Sequence, residues 1–179
     1  MSGPWRPGQR RPNSDSMLRV DQAGEYGATR IYAGQLAVLR SNSPEAKLIA
    51  RMAAQEQRHL KRFDALMAER RVRPTVLQPF WNIAGFALGA ATALMSEKAA
   101  LACTDAVETE IDRHYLQQLD ELGDDDPEFS ADIAEFRAEE LEHRDTARAA
   151  GAAEAVGYPI LTAAIRAGCR VAIGLSKRI

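Results

Sequence analysis

Two short segments, Glu56-Gln57-Arg58-His59 and Glu140-Leu141-Glu142-His143, each place a histidine three residues after a glutamate. On a helix that spacing puts both side chains on one face, so each segment aims a carboxylate and an imidazole the same way. Two more glutamates complete a repeat, for Glu25 precedes Glu56 by 31 positions and Glu108 precedes Glu140 by 32. Four carboxylates and two imidazoles suit iron or manganese. They do not suit copper(I), and a closed structural zinc site has no use for six ligands. Buried together without cations, the four acids would drive one another toward protonation. Two divalent ions balance four carboxylates and two neutral imidazoles, and a pair of ions that can be oxidised supplies redox chemistry with dioxygen.

A lone Glu-x-x-His is more often accidental, and a lone histidine on an apolar face is more often a satisfied core residue than a ligand. The chain has fourteen glutamates and three histidines, so two histidines acquire a glutamate three places earlier by chance in roughly 2% of such sequences. The repetition carries the metal reading.

Helical hairpins are the elements able to position these six residues. With ~1.5 Å of rise per residue, the chain travels ~24 Å from Glu25 to a turn near Ser41 and returns ~18 Å from Pro44 to Glu56. The second half covers ~21 Å from Glu108 to Leu122 and ~20 Å from Pro127 to Glu140. Each half brings its two glutamates to one level. The expected fold is all-α: a four-helix bundle with the ligands at mid-height, plus an additional apolar helix and a C-terminal amphipathic one.

Periodicity supports each helix in turn. The first runs from about Asp15 or Ser16 to Arg40, with Leu18, Glu25, Ala28, Tyr32, Leu36 and Leu39 on one stripe. Gly24 and Gly27 flank Glu25, each costing roughly 1 kcal/mol against alanine inside a helix. Either they leave room beside the metal for a flat substrate, or they permit close helix packing. Ser43 caps the second helix and Pro44 opens it, and its stripe is Ile49, Met52, Glu56, His59, Leu60, Phe63 and Met67. The third spans Glu97 to Leu122 and stops at Gly123, with Leu101, Thr104, Glu108, Ile111, Tyr115, Leu119 and Leu122 inward. Glu110 should face solvent, and His114 belongs at the surface or behind the ligands rather than on metal. Asp126 and Pro127 open the fourth, whose seam is Phe129, Ile133, Phe136, Glu140, His143 and Ala147. Glu139 and Glu142 flank that seam and read as solvated.

Residues 75 to 96 carry no charge. Pro79, Gln78, Asn82, Gly85 and Gly89 interrupt them too often for a membrane span. An interfacial or lid-like helix and a core-packing connection both remain open. Pro159 starts a last helix with Leu161, Ile165, Gly168, Ala172, Leu175 and Ile179 on one side and Arg166, Arg170 and Lys177 on the other. It either docks on the bundle or lies on an anionic membrane.

At 179 residues the chain fits one domain. Residues 15–179 are assigned to it, and residues 1–14, with three prolines and three arginines, read as a disordered tail rather than a trimmed targeting segment. A net charge of -2 gives no general attraction to nucleic acid. Cys103 and Cys169 are too few for a disulfide framework and read as buried thiols.

The ligand set matches that of ferritin-like di-iron and di-manganese carboxylate bundles. Alone it does not choose among oxygenase, oxidase, ferroxidase and manganese catalase. Longer stretches do: Asp21-Gln22-Ala23-Gly24-Glu25-Tyr26-Gly27-Ala28, Arg30-Ile31-Tyr32-Ala33-Gly34-Gln35, Arg73-Pro74-Thr75, Trp81-Asn82, Gly85-Phe86-Ala87-Leu88-Gly89-Ala90, Glu139-Glu140-Leu141-Glu142-His143 and Ala167-Gly168-Cys169-Arg170-Val171-Ala172-Ile173. From about Met17 to Ile179 the chain resembles the demethoxyubiquinone hydroxylases of ubiquinone biosynthesis.

That resemblance implies a di-iron monooxygenase that inserts one atom of dioxygen into the ring of a polyprenylated demethoxy-benzoquinol. It implies two iron ions on Glu25, Glu56, His59, Glu108, Glu140 and His143, with Glu56 and Glu140 bridging and no catalytic residue beyond the ligands. It also implies an external reductant, NADH directly or through a quinone, and a possible lipid-presenting protein partner. The place implied is peripheral, on the cytoplasmic face of a bacterial membrane or the matrix face of the mitochondrial inner membrane. No Gly-x-Gly-x-x-Gly fingerprint occurs, which excludes a Rossmann-type nicotinamide site. The rivals are a ferritin-like ferroxidase or rubrerythrin-type peroxidase, with little use for the charge-free segment, and a metal-free helical membrane adaptor.

Overall fold

The structure, a computed structural model, describes residues 13–178; residues 1–12, most of the expected tail, and Ile179 lie outside it. Local signals set the helix ends. Asn13, not Asp15 or Ser16, caps α1 (Ser14–Val38), its side chain accepting from the Ser16 amide at 3.1 Å. Ser43 caps α2 (Pro44–Arg70) by accepting from Ala46, and Asp126 caps α5 (Pro127–Ala149) by accepting from Phe129. Each such cap is worth about 1 kcal/mol. Between them, α3 (Gln78–Met95) and α4 (Glu97–Leu122) meet at Ser96, which caps α4, and α4 ends on Gly123 at a positive φ of 51°. A short 3-10 turn, Ala152–Glu154, leads into α6 (Tyr158–Ser176).

Helices α1 and α2 form one hairpin and α4 and α5 the other, and their pairing makes an all-α, ferritin-like bundle. Two apolar clusters divide its interior. One holds Tyr32, Ile49, Met52, Leu101 and Ala147; the other holds Leu18, Phe63, Leu66, Tyr115, Phe129, Ile133 and Phe136. Each fully buried large side chain contributes on the order of 1.5–3 kcal/mol. Helices α2 and α5 are tied by Arg58 to Glu139, Arg62 to Glu128 and Asp132, and Arg70 to Asp126.

The remaining helices lie outside the four. Helix α3 runs along α1 so closely that a Cβ on Gly89 would sit 1.9 Å from the Ile31 carbonyl oxygen, and one on Gly34 would sit 2.1 Å from that of Phe86. Only glycine permits that approach. Helix α6 packs mainly on α4 and touches α1. These two coverings explain why α4 is buried on nearly every side from Ala99 to Glu108.

Candidate metal centre

The bundle helices deliver one carboxylate each: Glu25 from α1, Glu56 from α2, Glu108 from α4 and Glu140 from α5. His59 and His143 follow one helical turn after Glu56 and Glu140, and all six are at most 2% exposed. Ligand-capable atoms of Glu25, Glu56, His59 and Glu140 lie within 4.8 Å of one another, as do those of Glu56, Glu108, Glu140 and His143. Glu56 and Glu140 belong to both sets. The geometry describes two adjacent positions with two shared carboxylates, and every residue predicted for the site is brought together there.

The inner atoms crowd, and only His143 Nδ1 and Glu140 Oε2 among them are hydrogen-bonded to each other. His59 Nδ1 stands 3.0 Å from Glu140 Oε1 and 3.5 Å from Glu25 Oε2; His143 Nδ1 stands 3.1 Å from Glu56 Oε1 and 3.2 Å from Glu140 Oε2. Yet Glu25 Oε2, both oxygens of Glu56, His59 Nδ1, Glu108 Oε2 and Glu140 Oε1 have no hydrogen-bond partner. Unpaired buried polar atoms are rare and costly, and an orphaned carboxylate costs more than a neutral group. Six converging on one spot fit a pair of cations.

Electrostatics carry the same message. Burial pushes the Glu56 and Glu108 carboxyls well above the ordinary carboxylate range, and the Glu140 charge adds to both. Burial also raises Glu140, although His59 opposes the shift. Burial lowers His143. It would lower His59 too, but its contacts with Glu140 and Glu25 outweigh burial and lift it to about 11. Acids this strained in their ionised form need positive charge beside them to stay ionised at neutral pH.

An outer layer holds four of the six in place. The Tyr115 hydroxyl donates to Glu25 Oε1, and the Tyr32 hydroxyl donates to Glu108 Oε1 at 2.8 Å. His59 Nε2 lies 2.9 Å from Glu139 Oε2, and His143 Nε2 lies 2.9 Å from Gln55 Oε1. Phe136 stacks on His59 with ring centroids 4.2 Å apart. Sequence reading missed Glu139 and Gln55. Glu139 is not free in solvent; it also takes a fork of hydrogen bonds from Arg58, which with His59 holds its carboxyl below the usual range against burial. The signal was their place immediately before Glu140 and Glu56, beside the seam.

Other expectations are narrowed or changed. His114 is buried, with Nε2 3.0 Å from Asp21 Oδ1, and Gln118 also donates to that oxygen at 2.8 Å. Of the two places expected for it, it takes the one behind the ligands. Glu110 is 2% exposed, because α6 covers the face of α4 that the helical wheel points outward, and Glu110 Oε1 accepts from Arg166 at 2.8 Å and Arg170 at 2.7 Å. Those arginines therefore border the docked side of α6, while Leu175 is exposed. Cys103 is buried and Cys169 half-buried, both free, with burial pushing both thiols to about 12.

Beside the centre lies a cavity of about 490 Å³ between α1, α3, α4 and α6. Its walls include Gly24, Gly27, Trp81, Leu88, Ile111, Ile165 and Ala172. A Cβ on Gly24 or Gly27 would meet nothing within 4 Å, so those two glycines open space while Gly34 and Gly89 serve close packing. Ala28, Ile31 and Val107 line both this cavity and a small void that reaches Glu108 and Tyr32. On the outside, α3 and its approach expose Val76, Phe80, Ile83, Leu94 and Met95, and α6 and its approach expose Val156, Ile160 and Val171. Among the described helices, α6 alone is long and apolar enough to cross a membrane by length and composition.

A family profile described as Ubiquinone biosynthesis protein COQ7 matches residues 12–176. The 3-demethoxyubiquinol 3-hydroxylase of Rhodospirillum rubrum is 56% identical over 165 residues, covering 92% of this chain and 78% of that protein. The human NADPH-dependent 3-demethoxyubiquinone 3-hydroxylase, mitochondrial, is 52% identical, covering 92% and 77%. The Saccharomyces cerevisiae 5-demethoxyubiquinone hydroxylase, mitochondrial, is 42% identical, covering 92% and 78%.

Proposed function

The chain belongs to the ubiquinone biosynthesis protein COQ7 family of hydroxylating oxidoreductases, and from that premise we propose that it is a di-iron monooxygenase hydroxylating the ring of a polyprenylated demethoxy-benzoquinol. The observation that carries this reading is the convergence of six orphaned buried donor atoms beside an apolar cavity. Glu25, Glu56, His59, Glu108, Glu140 and His143 would hold two iron ions, with Glu56 and Glu140 shared. Bound iron supplies the redox chemistry by which dioxygen, two electrons and two protons turn a ring C–H into C–OH and release water.

The chain's own residues prepare that chemistry. Tyr32 and Tyr115 each hold one oxygen of a terminal carboxylate, leaving the other free to face a cation. Apolar side chains wall the cavity, so an isoprenoid tail seated there gains about 0.8 kcal/mol per buried CH₂. Gly24 and Gly27 leave width for a flat ring next to Glu25. The void at Glu108 is too small for that ring, so its approach to the carboxylates requires the shared wall of Ala28, Ile31 and Val107 to move aside.

The exposed apolar faces of α3 and α6 form the surface that we assign to the membrane, where a polyprenyl quinol resides. Peripheral attachment, at the cytoplasmic face of a bacterial membrane or the matrix face of the mitochondrial inner membrane, brings the cavity to its substrate. A lipid-presenting protein could share that surface. The electrons come from outside the chain. The resemblance suggests NADH and the human relative's name says NADPH, so the shared nicotinamide is what we carry over.

The test is complementation of a cell blocked at this ring hydroxylation. The wild-type chain restores the mature quinone and clears the demethoxy intermediate, whereas Glu140→Ala and His143→Ala do neither. Restoration by both variants would remove the metal centre from the reaction.

A further inference from the structure

The six inner residues obey an approximate two-fold symmetry that their supports do not share. Glu25 and Glu108 are matched, each receiving a tyrosine hydroxyl, from Tyr115 and Tyr32 respectively. Glu56 and Glu140 are matched as the two shared carboxylates. The residue just before each shared glutamate reaches across to the histidine of the other hairpin: Glu139 to His59 and Gln55 to His143, both at 2.9 Å. Here the equivalence fails, because one support is a carboxylate and the other a carboxamide.

The difference acts on the metal through the imidazole. In both histidines Nδ1 faces the carboxylates, so with a cation held there Nε2 would carry the proton and donate outward. An ionised acceptor draws that proton more strongly than an amide oxygen does, which makes the opposite nitrogen a better electron donor. Arg58 grips both oxygens of Glu139, at 3.1 and 2.6 Å, and so fixes that carboxylate in place as an acceptor. Gln55 takes no proton and keeps its acceptor strength fixed.

We propose that Glu139 and Gln55 are positioning residues that make the two metal sites unequal, so that the site of Glu25 and His59 takes its ion first and more tightly than the site of Glu108 and His143. This rests on the di-iron reading above and adds an order of filling. The looser site includes Glu108, whose neighbours Ala28, Ile31 and Val107 also line the apolar cavity.

Anaerobic titration of the full chain, cleared of metal, with ferrous iron reads the two steps directly, and Mössbauer spectra of the loaded protein read the two environments. The wild-type chain binds two ions in separated steps and gives two quadrupole doublets. Glu139→Gln loses about 10–100-fold in the first step, and its doublets draw together. Gln55→Glu, which leaves Glu139 untouched, tightens the second step instead. His143→Ala keeps the tight step and His59→Ala loses it. Thermal unfolding of each variant identifies any that has not folded, and Gln55→Glu decides the matter if Glu139→Gln is among them. Two ions bound with steps that neither substitution moves would overturn this inference and leave the di-iron reading standing. A folded wild-type chain that binds no ferrous iron would overturn both.

Discussion

Replacing Gly24 by leucine should make the protein more stable and less active. Gly24 lies inside α1, lines the cavity, and offers a new side chain free space, since a Cβ there meets nothing within 4 Å. Removing a helical glycine gains about 0.5–1 kcal/mol, and leucine's methyl groups gain more by entering an apolar space. The same atoms displace what the cavity is built to hold. If the leucine excludes two methylene-sized groups of the substrate, the loss is about 1.6 kcal/mol, or a fall in kcat/KM of roughly 15-fold. Gly89→Ala is the control, because its Cβ would lie 1.9 Å from a backbone oxygen; it should destabilise by about 1–3 kcal/mol through overpacking. The assay is urea unfolding of both variants, with iron content and quinol turnover measured on Gly24→Leu. Unchanged turnover at unchanged iron content would refute the assignment of this cavity to the substrate.

Other perturbations address the supports. Glu110→Gln removes the charge that holds Arg166 and Arg170, and because both arginines can turn to water the stability loss should stay near 1 kcal/mol. Amide exchange in α6 should rise well above that in α2, and equal protection would show that the ion pairs do not hold this helix. Asp126 is held below its ordinary range, since hydrogen bonds from Arg70 and the Phe129 amide outweigh burial. A depressed folded value means that its contribution is present above the unfolded pKa of about 3.9 and fades as pH falls through the folded one. Asp126→Asn should therefore be less stable than wild type at pH 7, with the gap closing under acid. A gap independent of pH would assign the whole effect to the helix cap.

Much of this was legible because helix periodicity and ligand spacing are local. The seam of Phe129, Ile133, Phe136, Glu140, His143 and Ala147 is buried throughout as read, and Pro44, Ser96, Gly123 and Pro127 mark ends that backbone chemistry dictates. What sequence alone hid depends on which helix returns to cover which. Glu110 sits on the outward side of α4 in a four-helix picture, and only the docking of α6 turns that side inward. The run Ala99 to Cys103, apolar all round, was the available sign that α4 is enclosed. Gln55 and Glu139 were similarly hidden, since an amide or acid beside a seam is ordinarily solvated until a histidine from the facing helix arrives within 2.9 Å. In the charge-free stretch from Thr75 the packing reading is what the structure shows: α3 sets one side on α1 through glycine, and the apolar side chains exposed on its other side carry the interfacial reading only as a proposal.

Anomalous diffraction at the iron edge, from crystals of the iron-loaded chain, tests the central claim most directly. Two peaks about 3.5–4 Å apart, one beside His59 Nδ1 and one beside His143 Nδ1 with Glu56 and Glu140 between them, are the predicted result. A folded, iron-treated protein with no peak among these six residues would contradict it.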